Sequence, residues 1–293
     1  MSIYKELKDS YKYGSPVTRL LYINVIVFIV FGLIHTFFWI GKNEASYYAF
    51  SRMFTAPSYL PELLTRPWSV ITYMFFHEDF FHIAFNMLGL YWFGKLFLEF
   101  FNKRQLVGLY LIGGIFGYLL FVAGYYAMPA LRGNFAPILG ASAAIMAILA
   151  GVAFSRPNYS IYLMFFGQVK LKYLALVYIL LDLISMAQGN AGGHIAHLGG
   201  MLAGWIFALR LQKNSDITIG VNRILDFFAT LLKPRKRLKV SHRKPVNDYD
   251  YKKTKAAEQK EIDAILDKIS RSGYDSLNKA EKEMLFKMGQ NKN

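Results

Sequence analysis

A single hydroxyl, Ser142, lies inside an otherwise apolar, helix-forming run from Ile138 to Gly151. A polar group in such a setting calls for a reason. Packing offers one: Gly140, Ala141, Ala143 and Ala144 are small, and serine often serves only as a hydrogen-bonding contact between helices. Chemistry offers another, because a serine hydroxyl becomes a nucleophile when a base within reach takes its proton, and a neutral imidazole is the usual base. The stretch from Gly193 to Gly200 supplies imidazoles at His194 and His197. Helices bearing such a pair must cross closely, and small residues are present for it: Gly200 and Gly204 follow His197, while Gly140, Ala144, Ala147 and Gly151 surround the serine. Acyl transfer also needs donors for the developing oxyanion, each worth roughly 3 to 4 kcal/mol. His82 and Asn86, at i and i+4 on one helical face, can point there.

Metal chemistry is the competing reading. His77, Glu78 and His82 look like the zinc motif His-Glu-x-x-His with one residue too many, and five residues turn a helix by about 500°, so the imidazoles do not share a face. His194 and His197 could ligate with His82, but Asp182 is the one obvious acid in the apolar segments to complete the set. The serine and histidine pair is preferred, with no metal and no cofactor expected. Cysteine is absent, which excludes disulfides, thiolate catalysis and cysteine metal sites.

The elements that must hold these residues are read from composition. Of 293 residues 54% are hydrophobic and 17% aromatic, the mark of an all-α polytopic membrane protein rather than a soluble domain. The net charge of +15 does not signal nucleic acid, because the basic residues sit in the N-terminal arm, the short loops and the tail, as membrane topology distributes them. Residues 1–17 form a polar, basic, cytoplasmic arm. Six spans are expected at about 17–39, 80–101, 106–128, 139–154, within 161–187, and 194–211, each matched to roughly 30 Å of hydrocarbon except the fourth, which is short. The connection from Gly41 to Phe76 reads as an interfacial segment on the outer leaflet, and residues 188–193 as a Gly-rich loop. Lys103, Arg104, Arg156, Lys170, Lys172, Arg210 and Lys213 fall on the face of the arm, which makes the topology N-in and C-in. Spans two, four and six then start on the outer side, so His82, Asn86, Ser142, His194 and His197 share one depth.

Residues 18–212 thus form the membrane domain and 213–293 a basic linker with a cytoplasmic helical tail. Lys233 to Lys244 is a basic run attracted to anionic lipid. Glu258 to Lys287 has helical period with a break at Ser272-Gly273, a small hairpin expected to dock on itself or on an unidentified partner. With no targeting extension evident, the expected location is the plasma (inner) membrane.

Gly140-Ala141-Ser142-Ala143, Ala196-His197-Leu198-Gly199-Gly200 with Gly204, and His82-Ile83-Ala84-Phe85-Asn86 together resemble the rhomboid intramembrane serine proteases, over about Thr18 to Leu211. The resemblance implies a six-helix bundle around a water-accessible cavity open to the outer side. It also implies Ser142 as nucleophile and His197 as its base in a dyad without a carboxylate, with His82, Asn86 and the Ser142 amide as oxyanion hole. His77 matches a loop histidine of the family and Trp68 an aromatic of its first loop. Met146 stands where a tyrosine often stacks on the catalytic imidazole, and Ser69 where some relatives carry arginine. The substrates implied are transmembrane segments of single-span membrane proteins within the lipid bilayer, cut near its outer face, with span five and the Gly-rich loop as a mobile entrance. The alternatives are a catalytically silent rhomboid-like binder of membrane-protein clients, which would typically lack the serine or histidine, and a transporter, which would show an internal repeat. Nucleic acid is not an expected partner.

Overall fold

A computed structural model describes residues 2–231 and 248–290 as a mostly helical chain in two compact units, Met1–Lys233 and Pro234–Asn293. The basic run at 233–244 lies outside the described residues. In the first unit, α1 (Ile3–Tyr13) precedes α2 (Pro16–Ile40), which starts where the Ser15 side chain accepts from Thr18 N at 3.2 Å and Pro16 presets the first turn. The connection that follows holds α3 (Glu44–Ser51), strand β1 (Ala56–Pro57), α4 (Leu60–Thr65) and α5 (Ser69–Thr72). Next come α6 (Phe80–Phe100), capped by Asp79, and α7 (Lys103–Ala127), started by a reciprocal capping box between Asn102 and Gln105. Strand β2 (Pro137–Ile138) leads into α8 (Ser142–Ser155), and strands β3 (Ser160–Leu163) and β4 (Gly167–Lys170) into α9 (Leu171–Ser185), α10 (Ala191–Gln212) and α11 (Thr218–Leu231).

The six apolar runs of the sequence fold as α2, α6, α7, α8, α9 and α10. Among the described residues three helices, α2, α7 and α9 with its 3-10 extension to Gln188, are long and apolar enough to cross a membrane. The other three carry the polar residues of interest. Three elements differ from the sequence reading. The fifth run opens not as helix but as the antiparallel hairpin β3–β4, turned at Gly167 with φ +69°; the exposed Met164, Phe165 and Phe166 at its tip look like span residues by composition alone. The stretch after Leu211 holds α11, which packs on α7, buries Thr218 and pairs Asp226 with Arg104 at 3.1 Å. The expected Gly-rich loop is also shorter, because Asn190, in the left-handed region at φ 49°, caps α10 through Gly193 N at 3.2 Å.

The core is α8, buried from Ala143 to Ala153 and enclosed by α6, α7, α9 and α10. Small residues set the spacing. A Cβ on Gly200 would lie 2.0 Å from Ala143 O, and one on Gly204 2.4 Å from Ala147 O, so α8 and α10 meet backbone to backbone. On the α7 side, a Cβ on Gly113 would fall 2.3 Å from that of Ala147, and one on Gly117 2.5 Å from that of Ala143.

Tyrosine hydroxyls tie the long connection to this core. Tyr73 Oη donates to Gly114 O at 2.7 Å, Tyr110 Oη to Met74 O at 3.1 Å and Tyr118 Oη to Pro57 O at 2.8 Å. Strand β1 pairs with β2 as Ala56 to Ile138 and Pro57 to Pro137, which fastens the connection to the segment entering α8. His77, buried at the end of the connection, has its imidazole pulled down to about 4, first by burial and then by the neighbouring His82 ring.

In the second unit, α12 (Asp248–Ser272) and α13 (Lys279–Gln290) are joined through Gly273 at φ +78°. Asn278 and Glu281 cap α13 reciprocally at 2.7 and 2.9 Å, Lys268 Nζ meets Glu281 at 2.9 Å, and Ile265 and Leu277 are buried.

Two predictions follow from the packing and the buried histidine. Gly200→Ala forces the Ala143 carbonyl away and destabilises the fold by about 1–3 kcal/mol or more, whereas Gly220→Ala in α11, whose Cβ would meet nothing within 4 Å, stays neutral or gains slightly. Thermal unfolding in detergent checks both. His77 is neutral in the folded chain, while the unfolded chain takes up a proton below its ordinary value of 6.5, so stability is lost as pH falls from 6.5 towards about 4. The loss reaches about 3 kcal/mol at most. Melting curves against pH should be steeper across that window for the unaltered chain than for His77→Phe.

Candidate functional site

Ser142 opens α8. Just before it, Gly140 takes φ +114°, a conformation that L side chains rarely adopt, and donates its N–H to Tyr73 O at 2.9 Å. A Cβ there would lie 2.7 Å from His82 Nε2 and 3.8 Å from Ser142 Oγ. Gly140 therefore makes the turn and leaves room for His82, ahead of the helix, in place of the helix-packing role expected of it. The residue preceding Ser142 is Ala141, so no side chain caps α8 and its first-turn amides stay open. The positive end of the helix dipole is directed at the same point.

His197 stands on α10 one turn before Gly200, and Gly200 touches the carbonyl of the residue after Ser142. Both side chains line one cavity of about 1060 Å³, with His82, Asn86, Gly140 and Met146. No hydrogen bond joins Ser142 to His197 among the described residues. The His82 ring lies 5.0 Å from that of His77. Asn86 Nδ2 donates one proton to His82 O at 2.8 Å and, among the described residues, keeps the other free. Trp68, further out, donates Nε1–H to Met53 O at 2.8 Å.

The sequence reading missed one group. Asp182 of α9, with its side chain only 7% exposed, holds Oδ1 2.8 Å from Nδ1 of His197 and 2.8 Å from Nδ1 of His194. The expectation of a serine and histidine pair without a carboxylate is corrected: an acid does meet the candidate base, and it belongs to a different helix. The signal available was an aspartate in an apolar run, which the sequence reading weighed only as a metal ligand. Nothing periodic links α9 to α10, so spacing could not pair them. Asp182, His194 and His197 offer ligand atoms within 4.8 Å of one another, and among the described residues they form the group able to hold a metal ion.

Comparison with known proteins bears on the whole arrangement. A Rhomboid domain model matches residues 64–214, and a second model, of a family of unknown function, matches residues 247–290. The mitochondrial RHOMBOID-like protein 12 of Arabidopsis thaliana is 34% identical over 156 residues, 50% of this chain and 46% of its own length. The mitochondrial Presenilin-associated rhomboid-like protein of Homo sapiens is 31% identical over 137 residues, 44% of this chain and 34% of its own. The mitochondrial Rhomboid protein 1 of Saccharomyces cerevisiae is 28% identical over 163 residues, 52% of this chain and 44% of its own. Each match thus spans less than half of the relative. Their shared compartment overturns the expected plasma-membrane location. That expectation rested on multiple spans with no targeting extension, and apolar helices of this length suit an organelle's bilayer as well as a cell's. With a family model covering more than half of its length, this chain belongs to the rhomboid family.

Proposed function

We propose that this chain is an intramembrane serine endopeptidase that cleaves transmembrane segments of membrane proteins, with Ser142 as nucleophile and His197 as general base. The observation that carries the reading is the shared cavity: a hydroxyl at an uncapped helix start, an imidazole from a second helix and two further polar side chains face one space inside an apolar bundle. His197 Nε2 takes the proton from Ser142 Oγ as the oxygen bonds to the scissile carbonyl carbon. The C–N bond then breaks, the leaving amine receives that proton, and water hydrolyses the serine ester by the reverse sequence. His82, the free amide proton of Asn86 and the Ser142 N–H are the donors for the oxyanion.

The six apolar helices are read as six spans, with the short α8 held inside the others. A formed helix hides its carbonyls, so the substrate segment must unwind to enter the cavity. The names of the relatives make a mitochondrial membrane the reading for its location.

A gel assay on a single-span substrate in detergent or liposomes tests the proposal. Ser142→Ala and His197→Ala should each abolish cleavage, and Ser142→Ala should also abolish labelling by a serine-directed fluorophosphonate. Cleavage that persists in both variants would exclude the mechanism. His82→Ala and Asn86→Ala should lower kcat about 10²-fold with KM little changed, as expected for donors that act on the oxyanion.

A further inference from the structure

We propose that Asp182 is a positioning residue for the reaction: it fixes the tautomer and ring orientation of His197, with His194 as the second imidazole that anchors the carboxylate. This inference rests on the reading of Ser142 and His197 as nucleophile and base. An ionised carboxylate has no proton to give, so the two 2.8 Å contacts at Oδ1 require both imidazoles to carry their proton on Nδ1. In neutral His197 that leaves Nε2 bare, the form a general base needs, and the ring pinned at its far side cannot rotate freely about χ2. When Nε2 takes the serine proton, the positive charge forms beside a carboxylate that is buried and close.

The arrangement answers a deficit at Met146. An apolar thioether lines the cavity four residues after Ser142, and it has no hydroxyl or aromatic face with which to orient an imidazole. The carboxylate reaches His197 from α9 instead. His194 has a separate task. Among the described residues Oδ2 of Asp182 is buried without a partner, so the second imidazole on Oδ1 is the contact that holds this carboxylate when the first moves during catalysis.

The test uses the full chain in detergent micelles, with [15N]histidine spectra, kinetics on the single-span substrate and fluorophosphonate labelling. In the unaltered chain, His197, assigned by loss of its signal in His197→Gln, should be the tautomer protonated on Nδ1. Asp182→Asn, whose amide group can turn an N–H toward Nδ1, should lower kcat about 10²–10⁴-fold with KM within about threefold. It should slow labelling of Ser142 in parallel and shift His197 to the other tautomer. His194→Gln should cost less, about tenfold or under. If Ser142→Ala is silent while Asp182→Asn keeps kcat and labelling rate, the positioning role is wrong and the protease reading stands. If Ser142→Ala cleaves undiminished, the protease reading falls and takes this inference with it. If Asp182→Asn fails to fold, the tautomer in the unaltered chain still decides, since protonation on Nε2 overturns the proposal. Activity lost on chelation and restored by zinc would also overturn it, in favour of a metal centre on the same three donors.

Discussion

The bundle depends on one contact, a bare backbone carbonyl at Ala143 set against the Cα of Gly200. Between helices in lipid there is no hydrophobic drive to associate, because hydrocarbon is as apolar as leucine; close van der Waals packing has to supply the attraction. Glycine at 200 and 204 lets α10 approach α8 to that distance, and Gly113 and Gly117 do the same for α7. Ser142 and His197 each lie within a turn of the Ala143–Gly200 contact. Their convergence is therefore set by residues with no chemistry of their own, and needs no attraction between hydroxyl and imidazole.

Around that contact the helix start that bears the serine carries no side-chain cap. Serine, aspartate or asparagine side chains cap α2, α6, α7 and α10, whereas α8 follows Ala141 and α9 follows Lys170 without a side-chain cap. The missing cap of α8 costs about 1 kcal/mol, and the amides it leaves open face the cavity. The segment entering α8 would be free to wander were it not held by the β1–β2 bridge and by Gly140 N on Tyr73 O, itself on a residue whose hydroxyl is bonded to α7. Such bonds are strong in a dry interior.

Much of this was legible in the sequence. The apolar runs gave the helices of the bundle because span length and apolarity are properties of contiguous residues, and the small residues near Ser142 and His197 announced the crossing. Asp182 was visible as an anomaly but not as a partner, since its bond to His197 joins two helices whose relative rotation no single segment encodes. Gly140 was read as a packing residue, yet its requirement is a positive φ and space for a ring from α6, both of which are tertiary facts. The hairpin β3–β4 was hidden by its own tip, where Met164, Phe165 and Phe166 supply span-like composition without a span. α11 was overlooked because its polar face interrupts the apolar signal, while its partner, the α7 start around Arg104 and Gly108, is remote in sequence.

The position of Asp182 also constrains how the bundle can assemble. It sits on a helix apolar enough to cross a membrane, and a lone carboxylate there would carry a desolvation cost of several kcal/mol. Contact with His194 and His197 offsets that cost for the ionised form, and it requires α10 to be in place. α10 in turn is positioned by glycines against α8, so the contact that satisfies the acid depends on the same crossing that brings Ser142 and His197 to one cavity. Docking of α9 and orientation of the His197 ring are on this account a single event. A bundle in which α9 stands away from α10 would have both an unpaired buried acid and an undirected imidazole.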